Sequence, residues 1–284
     1  IGGVSVRVRR WEQADMDAAA LVGAAAFGFE VSEPGRADRW KARLGHALST
    51  DPDGCFVAEH EGRVVGAAQA IVREGLWILS LLVVDPQAQS TGAGRELLRR
   101  SLELAPPDGP GLIVSSNDPR ALRLYSRLGF SLRPSFTAEG VVDRGSIPPP
   151  DPAVDEAGGD DLDDLAAISR EVRGAPHTRE LRYAIGRGAQ ILRLADRGYV
   201  VALPPHGIWM LAARDDEAAR TLLWSGLAAA ATTEPVRVGW ITGVQDWAVE
   251  VVLRAGLRLS AYGALGVRGD VGPLRPYLPT APFG

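Results

Sequence analysis

The second half of this chain repeats the pattern of the first half, and this repeat constrains the fold more than any other feature. A shift of 127 positions places residues 238–257 on residues 111–130. Both segments run in one order: apolar strand, short loop, helix, glycine stop and strand. We therefore predict a tandem repeat of one domain type. The identical pairs are Ala121 and Ala248, Arg127 and Arg254, Gly129 and Gly256, and Leu132 and Leu259.

A proline-rich run separates the two halves. Residues 146–152 read Ser-Ile-Pro-Pro-Pro-Asp-Pro, and consecutive prolines favour an extended, stiff connector. A chain of 284 residues is also long for one hydrophobic core. We predict an N-terminal domain over residues 1–146 and a C-terminal copy over residues 153–284.

Hydrophobic periodicity in the first half predicts a mixed sheet flanked by helices. The order is β-α-α-β-β-β-α-β-α-β, which indicates an α/β (α+β) fold with two such sheets in tandem. The predicted strands cover residues 4–10, 55–59, 63–72, 76–84 and 112–116, with a last strand after Gly129. The predicted helices cover residues 15–27, with Asp15 as N-cap, 36–48, 95–104 and 120–128.

The composition excludes several classes of protein. The net charge of −4 gives no sign of a nucleic-acid surface. Cys55 is the single cysteine and the four histidines fall at no ligand spacing, so we expect a buried structural thiol and no metal. No apolar stretch reaches the length of a membrane span and no signal-peptide pattern opens the chain, so we expect a cytoplasmic protein without a membrane partner. The composition does not decide whether the chain forms a homodimer.

A loop with two glycines follows the strand over residues 76–84 and leads into a helix. The helix N-terminus offers unpaired N–H groups and positive potential to an anion, and Gly92 and Gly94 let a phosphate approach them. The dinucleotide fingerprint needs a third glycine where Leu97 stands, and the nucleoside-triphosphate loop needs Gly-Lys-Ser/Thr, so neither fits. A turn without a ligand is the alternative.

Two motifs together resemble the signature of the GNAT N-acetyltransferase superfamily. The pattern Gln-x-x-Gly-x-Gly at Gln89, Gly92 and Gly94 resembles its pyrophosphate loop. Residues 117–130 resemble the second part, and the resemblance covers about residues 4–140. The matching residues there are Asn117, Ala121, Leu124, Tyr125, Gly129 and Phe130. In the alternative interpretation, Tyr125 covers the core and Asn117 caps a helix.

The resemblance implies direct acetyl transfer from acetyl-CoA to a primary amine, without an acyl-enzyme. The pantetheine arm would lie between two splayed parallel strands. Tyr125 would donate a proton to the departing thiolate, and Asn117 would bind the arm or the loop beside it. The arm would pair with the backbone of Leu82, Val83 and Val84, and the pyrophosphate would contact Gln89, Ser90, Thr91, Gly92, Ala93, Gly94 and Arg95.

The general base and the acceptor stay open. In this family the first two helices line the acceptor site, and here they carry aromatic side chains. The alternative role for these side chains is packing in the core. We expect a small-molecule amine as acceptor, and the competing class is an acetyl-CoA-binding sensor or assembly module without turnover. The aromatic residues are Phe27, Phe29 and Trp40. The candidate general bases are the carboxylates of Glu30, Glu33, Glu74 and Asp85. The alternatives are that these carboxylates are solvated or cap helices and turns, and that a water chain accepts the proton.

The C-terminal copy departs from the pattern. The ten residues 85–94 shrink to the six residues 214–219, which carry three acids and no glycine. Val244 and Val252 stand at the positions of Asn117 and Tyr125. We predict a structural or substrate-shaping copy without a second acetyl-CoA site.

Residues 276–284 hold three prolines and three large apolar side chains, which indicates a docked tail. It would either enter the acceptor side of the N-terminal sheet, with Gly284 supplying a base, or pack on the second domain or on a second copy of the chain.

Overall fold

The computed structural model describes residues 6–30, 35–230 and 233–284. The chain divides into two compact units, residues 1–110 and 111–284. Val4 and Ser5 of the first predicted strand lie outside the described residues.

The first unit is an antiparallel sheet with helices on both faces. Its strands are β1 (Arg7–Arg10), β2 (Cys55–His60), β3 (Arg63–Arg73) and β4 (Leu76–Val84), and they neighbour one another in that order. Its helices are α1 (Met16–Phe27), α2 (Arg36–Thr50) and α3 (Ala93–Leu102). The predicted hairpin and the predicted strand over residues 76–84 are both confirmed.

Alternation along β4 sends its side chains to two separate clusters. Leu81 and Val83 pack with Leu44 and the alanines of α1, whereas Leu82 and Val84 pack with Leu97 of α3. The pairing of β3 with β4 skips Ser80, because Gln69 faces Leu81 and Ala70 faces Leu79. This bulge frees the Ser80 carbonyl, which accepts a hydrogen bond of 2.5 Å from Arg43.

The second unit holds the rest of the chain in one mixed sheet. Its strand order is β5-β12-β6-β11-β10-β9-β8-β7, with β13 on β10. Its strands are β5 (Gly111–Ser115), β6 (Ser131–Gly140), β7 (Val154–Glu156), β8 (Gln190–Leu194), β9 (Gly198–Leu203), β10 (Gly207–Ala213), β11 (Val236–Thr242), β12 (Arg258–Arg268) and β13 (Tyr277–Leu278). Its helices are α4 (Pro119–Arg127), α5 (Leu162–Arg173), α6 (Thr178–Gly186), α7 (Asp216–Ala230) and α8 (Asp246–Arg254).

The order of elements from β7 to β12 repeats the order from β1 to β6. This confirms the predicted tandem repeat and the predicted mixed α/β fold. Val252, the counterpart of Tyr125, is buried in a large apolar core formed around α7 and α8.

The two repeats exchange strands inside the second unit. β12 lies between β5 and β6, so that Ala264 faces Ser115 on one side and Pro134 on the other. β6 in turn pairs with β11, where Val238 faces Ala138. The compact unit therefore begins at Gly111, ahead of the proline-rich run. The boundary between residues 146 and 153 stays a prediction about the sequence repeat.

Candidate functional site

The glycine loop in the first unit has the backbone of an anion cradle. Ser90 and Gly92 have φ values of +72° and +89°, and Gly92 is the N-cap of α3. The helix begins at Ala93, two residues before the predicted start, so Ala93, Gly94 and Arg95 form its first turn. First-turn N–H groups have no partner inside a helix, which leaves those of Gly94 and Arg95 for a ligand, whereas the Ala93 N–H donates to the Thr91 hydroxyl at 3.4 Å. Asp85 is turned to its own loop, where it accepts from the N–H of Gln87 at 2.8 Å.

A diphosphate fits this loop on two observations. A Cβ atom added to Gly92 would meet nothing closer than the Arg95 guanidinium at 3.8 Å, so open space and a cation lie together there. The Arg95 side chain is exposed, while Thr91 closes the turn by donating to the Ala88 carbonyl at 2.7 Å. Unpaired N–H groups beside an exposed arginine suit a diphosphate.

The side chains at the end of β4, just before the glycine loop, differ in their exposure to solvent. Val83 is buried, whereas Leu82 and Val84 are half-buried. Their backbone pairs with Ala68, Ala67 and Gly66 of β3 on one side. Gln89 is half-buried, and Ser90 is exposed at the tip of the loop.

In the second unit, Asn117 does not cap α4. The cap is Asp118, whose carboxylate accepts from the N–H of Arg120 at 2.8 Å, so the capping interpretation of Asn117 is wrong. The exposed Asn117 instead accepts, through Oδ1, a hydrogen bond of 2.5 Å from the N–H of Gly263 in β12. Its amide nitrogen forms no hydrogen bond with the described residues.

Tyr125 is 5% exposed in the last turns of α4. Burial raises the pKa of its phenol above the usual value, and the Asp118 carboxylate adds to the effect. Within the described residues of the second unit, none forms a hydrogen bond with its hydroxyl. The side chain thus holds its proton at neutral pH and keeps it available.

Among the described residues of the first unit, no candidate for the general base stands out. Glu30 is exposed, and Glu74 sits in the tight turn before β4 with φ +48°. Asp85 is bound to its own loop, and Glu33 lies outside the described residues. Among the described residues, no group of three or more His, Cys, Asp or Glu side chains could hold a metal ion.

The aromatic residues of the first helices form one cluster. Trp40 meets Phe27 and Phe29 edge-on, with ring centroids 5.9 and 5.6 Å apart, and its indole N–H donates to the Ala20 carbonyl. Phe27 is 51% exposed, so core packing is wrong for this residue. Cys55 is fully buried, and desolvation raises the pKa of its thiol to about 12, as expected for a structural thiol.

The second repeat has filled the gap that corresponds to the pantetheine position. β10 and β11 pair in parallel at Ile208 and Val238, and further along β10 pairs with the tail strand β13. There Leu211 faces Leu278 and Ala212 faces Tyr277. A strand of the chain itself therefore lies where the resemblance places a cofactor arm.

The rest of the tail is fastened inside the second unit. The Phe283 carbonyl accepts from the buried Arg173, and the Gly284 carbonyl accepts from the Tyr277 hydroxyl and lies 3.2 Å from the His177 ring nitrogen. The tail is packed on the second repeat, as one of the predicted alternatives has it. The role of Gly284 as a base has no support, because its oxygen is held by these buried partners.

Two contacts at the Ser115 carbonyl were not predicted from the sequence. Gly263 has φ +67°, and a Cβ atom there would lie 2.0 Å from the Ser115 carbonyl oxygen. The Trp240 indole donates to the same carbonyl at 3.1 Å. A glycine inside a strand pattern was the available signal for the first contact. Nothing in the sequence indicates the second.

The Acetyltransferase (GNAT) family model matches residues 11–130. A mycothiol acetyltransferase from Kineococcus radiotolerans is 37% identical over 122 residues, which are 42% of this chain. The match spans 40% of the length of that relative. No described helix is long and apolar enough to cross a membrane.

Solved structures share the fold over nearly the whole chain. One is a crystal structure from Pyrococcus horikoshii, described as that of an acetyltransferase by assignment. Its TM-score is 0.82 at 18% sequence identity, and the match covers 100% of this chain and 98% of that one. A tandem GNAT protein from the clavulanic acid biosynthesis pathway has a TM-score of 0.61 at 14% identity, covering 93% and 98%. At these identities the likeness concerns the fold.

Proposed function

We propose that the chain transfers an acetyl group from acetyl-CoA to the primary amine of a small molecule, and the match of the Acetyltransferase (GNAT) family model to residues 11–130 supports this. The observation that carries this proposal is Tyr125, a buried phenol that keeps its proton and has no partner in its own unit. A protein that merely bound acetyl-CoA would have no need of such a proton donor.

The reaction assigned to these residues is a direct transfer. The amine nitrogen attacks the thioester carbonyl carbon, a C–N bond forms, and the C–S bond breaks. The Tyr125 hydroxyl gives its proton to the leaving sulfur, and a water chain takes the proton that the amine loses. The first-turn N–H groups of α3 and the Arg95 guanidinium hold the diphosphate. The free amide N–H groups of Asn117 bind the pantetheine arm or the loop beside it.

We assign one acetyl-CoA to each chain. The loop of the second repeat carries Asp215, Asp216 and Glu217, whose charges would repel a diphosphate. Asp215 and Glu217 form ion pairs with Arg197 at 2.7 and 2.9 Å. The charge of this arginine is therefore already neutralised and is not available to a diphosphate. The tail strand β13 on β10 also supports a single site, since it leaves no edge for a second pantetheine arm.

The acceptor class rests on weaker support than the reaction. The relative named mycothiol acetyltransferase supports a small-molecule acceptor, although the match spans 40% of that protein. A thiol-release assay with acetyl-CoA and a panel of amines, including amino sugars, polyamines and amino acids, tests the proposal. We expect release that depends on one class of amine. Saturable binding of acetyl-CoA with no release from any amine would contradict transfer and favour a binding module.

A further inference from the structure

A pocket of about 290 Å³ opens in the second unit. It lies between the starts of β10 and β11 and the tail residues 279–282, beside the place where β13 joins β10. Most of its lining is apolar, and includes Ile208, Trp209, Trp240, Pro279 and Pro282. Two tryptophans around a volume of this size suit a small flat ligand.

The tail wall of this pocket is fastened from behind. The Phe283 ring packs edge-on against Trp209, with centroids 5.4 Å apart, and Thr280 is buried. The Phe283 carbonyl is held by Arg173, which is itself fully buried. The pocket is therefore built before any ligand arrives, and binding need not order the tail.

The second wall is fastened by Trp240. Its φ of +48° is unusual for a residue with a side chain, and its indole N–H donates to the Ser115 carbonyl at 3.1 Å. The ring also meets Tyr262 at 6.0 Å. A strained backbone that is held in this way is typical of a binding site.

The charge of the lining is positive. Arg237 is half-buried, and its guanidinium lies 4.9 Å from the Tyr262 ring centroid and 5.7 Å from that of Trp240. Its polar side-chain contact is a long one, 3.4 Å to the Thr137 hydroxyl. No carboxylate of the described residues forms an ion pair with it, and the pocket lining contains no Asp or Glu. A guanidinium stacked on aromatic rings is ready to bind a carboxylate in two hydrogen bonds.

We propose that this pocket binds a small molecule with a flat apolar body and one carboxylate. The body lies between Trp209 and Trp240, and the carboxylate meets Arg237. The inference is independent of the proposed acetyl transfer, because every residue that lines the pocket lies in the second repeat.

Two probes that differ in charge test the proposal on the full chain. Indole-3-acetate carries the carboxylate, and indole-3-acetamide has the same shape without the charge. Calorimetric titration should show saturable binding of the acid, about 10-fold or more tighter than the amide. Arg237→Gln should remove this preference. Arg254→Gln removes an arginine that stacks on Trp224 outside the pocket, and it should leave the preference intact.

A second pair of variants tests the position. Gly239 lines the pocket and Gly243 is exposed, and a Cβ atom on either would meet no atom within 4 Å. Gly239→Leu should abolish binding of indole-3-acetate, whereas Gly243→Leu should bind it normally, with equal melting temperatures for both. The proposal is overturned if the wild-type chain shows no saturable binding, if acid and amide bind equally, or if binding survives Gly239→Leu.

Discussion

Gly263→Ala tests whether the second repeat shapes the Asn117 segment. The added Cβ atom would lie 2.0 Å from the Ser115 carbonyl oxygen, where at least 3.0 Å is needed. β12 must therefore move by about 1 Å, which weakens the pairing of Ala264 with Ser115 and the bond from the Gly263 N–H to Asn117. The φ of +67° adds about 1 kcal/mol for a residue with a side chain.

We expect Gly263→Ala to lower the free energy of unfolding by about 2–4 kcal/mol, the sum of this strain and about two lost hydrogen bonds. Urea denaturation measures the change, with an unchanged m-value as the check on the two-state assumption. Gly266→Ala is the matched control in the same strand, because its Cβ would lie 3.4 Å from Ile113 at an ordinary φ. It should cost less than about 1 kcal/mol. Equal losses for the two variants would refute the reasoning.

Three further outcomes are expected. Gly94→Val should abolish acetyl-CoA binding in calorimetry and leave the melting temperature nearly unchanged, because its Cβ would lie 3.4 Å from Val84 at an ordinary φ; normal binding would exclude the loop as the diphosphate site. Titration of the wild-type chain should give one acetyl-CoA per chain, and two equivalent sites would contradict a closed second repeat. Asp15→Asn should lower the free energy of unfolding at pH 7 by about 1 kcal/mol, since Arg9 holds the pKa of this carboxyl below its usual range. This contribution is present above the unfolded pKa and is lost as the pH falls through the folded pKa, so the difference should shrink towards pH 2; a constant difference would contradict it.

Local patterns predicted the elements of the first repeat well, and the ends of those elements less well. The run Leu76–Val84 came out residue for residue, because a turn before it and Asp85-Pro86 after it limit a continuous apolar strand. The helix α3 starts at Ala93 rather than Arg95, because Gly92 adopts the left-handed conformation that an N-cap can use here. Asp15 precedes α1, as predicted for an N-cap, but its carboxylate accepts from the N–H of Glu12 and from Arg9.

The strand exchange could not be predicted from the same patterns. Alternation along β12 indicates which side chains share a face, and it carries no information on which strands lie beside it. The hydrogen-bond partner of Asn117 could therefore not be predicted, since Gly263 lies 146 residues away along the chain. The docking of the tail was indicated by Tyr277, Leu278 and Phe283, but its place beside β10 depended on the same long-range pairing.

The central claim is that Tyr125 supplies the proton in an acetyl transfer. Tyr125→Phe keeps the ring and removes the proton, and the ring is buried, so folding should be little affected. Tyr199→Phe is the control for loss of a buried phenol hydroxyl, since Tyr199 lies in the second repeat beside Ser169 and His177.

The measurement is thiol release under saturating acetyl-CoA and amine, with acetyl-CoA affinity determined in parallel. The account predicts that Tyr125→Phe lowers turnover by ~10²–10⁴-fold with little change in affinity, while Tyr199→Phe keeps its turnover. Turnover of Tyr125→Phe equal to that of the wild type, in single-turnover conditions that exclude product release, would contradict it.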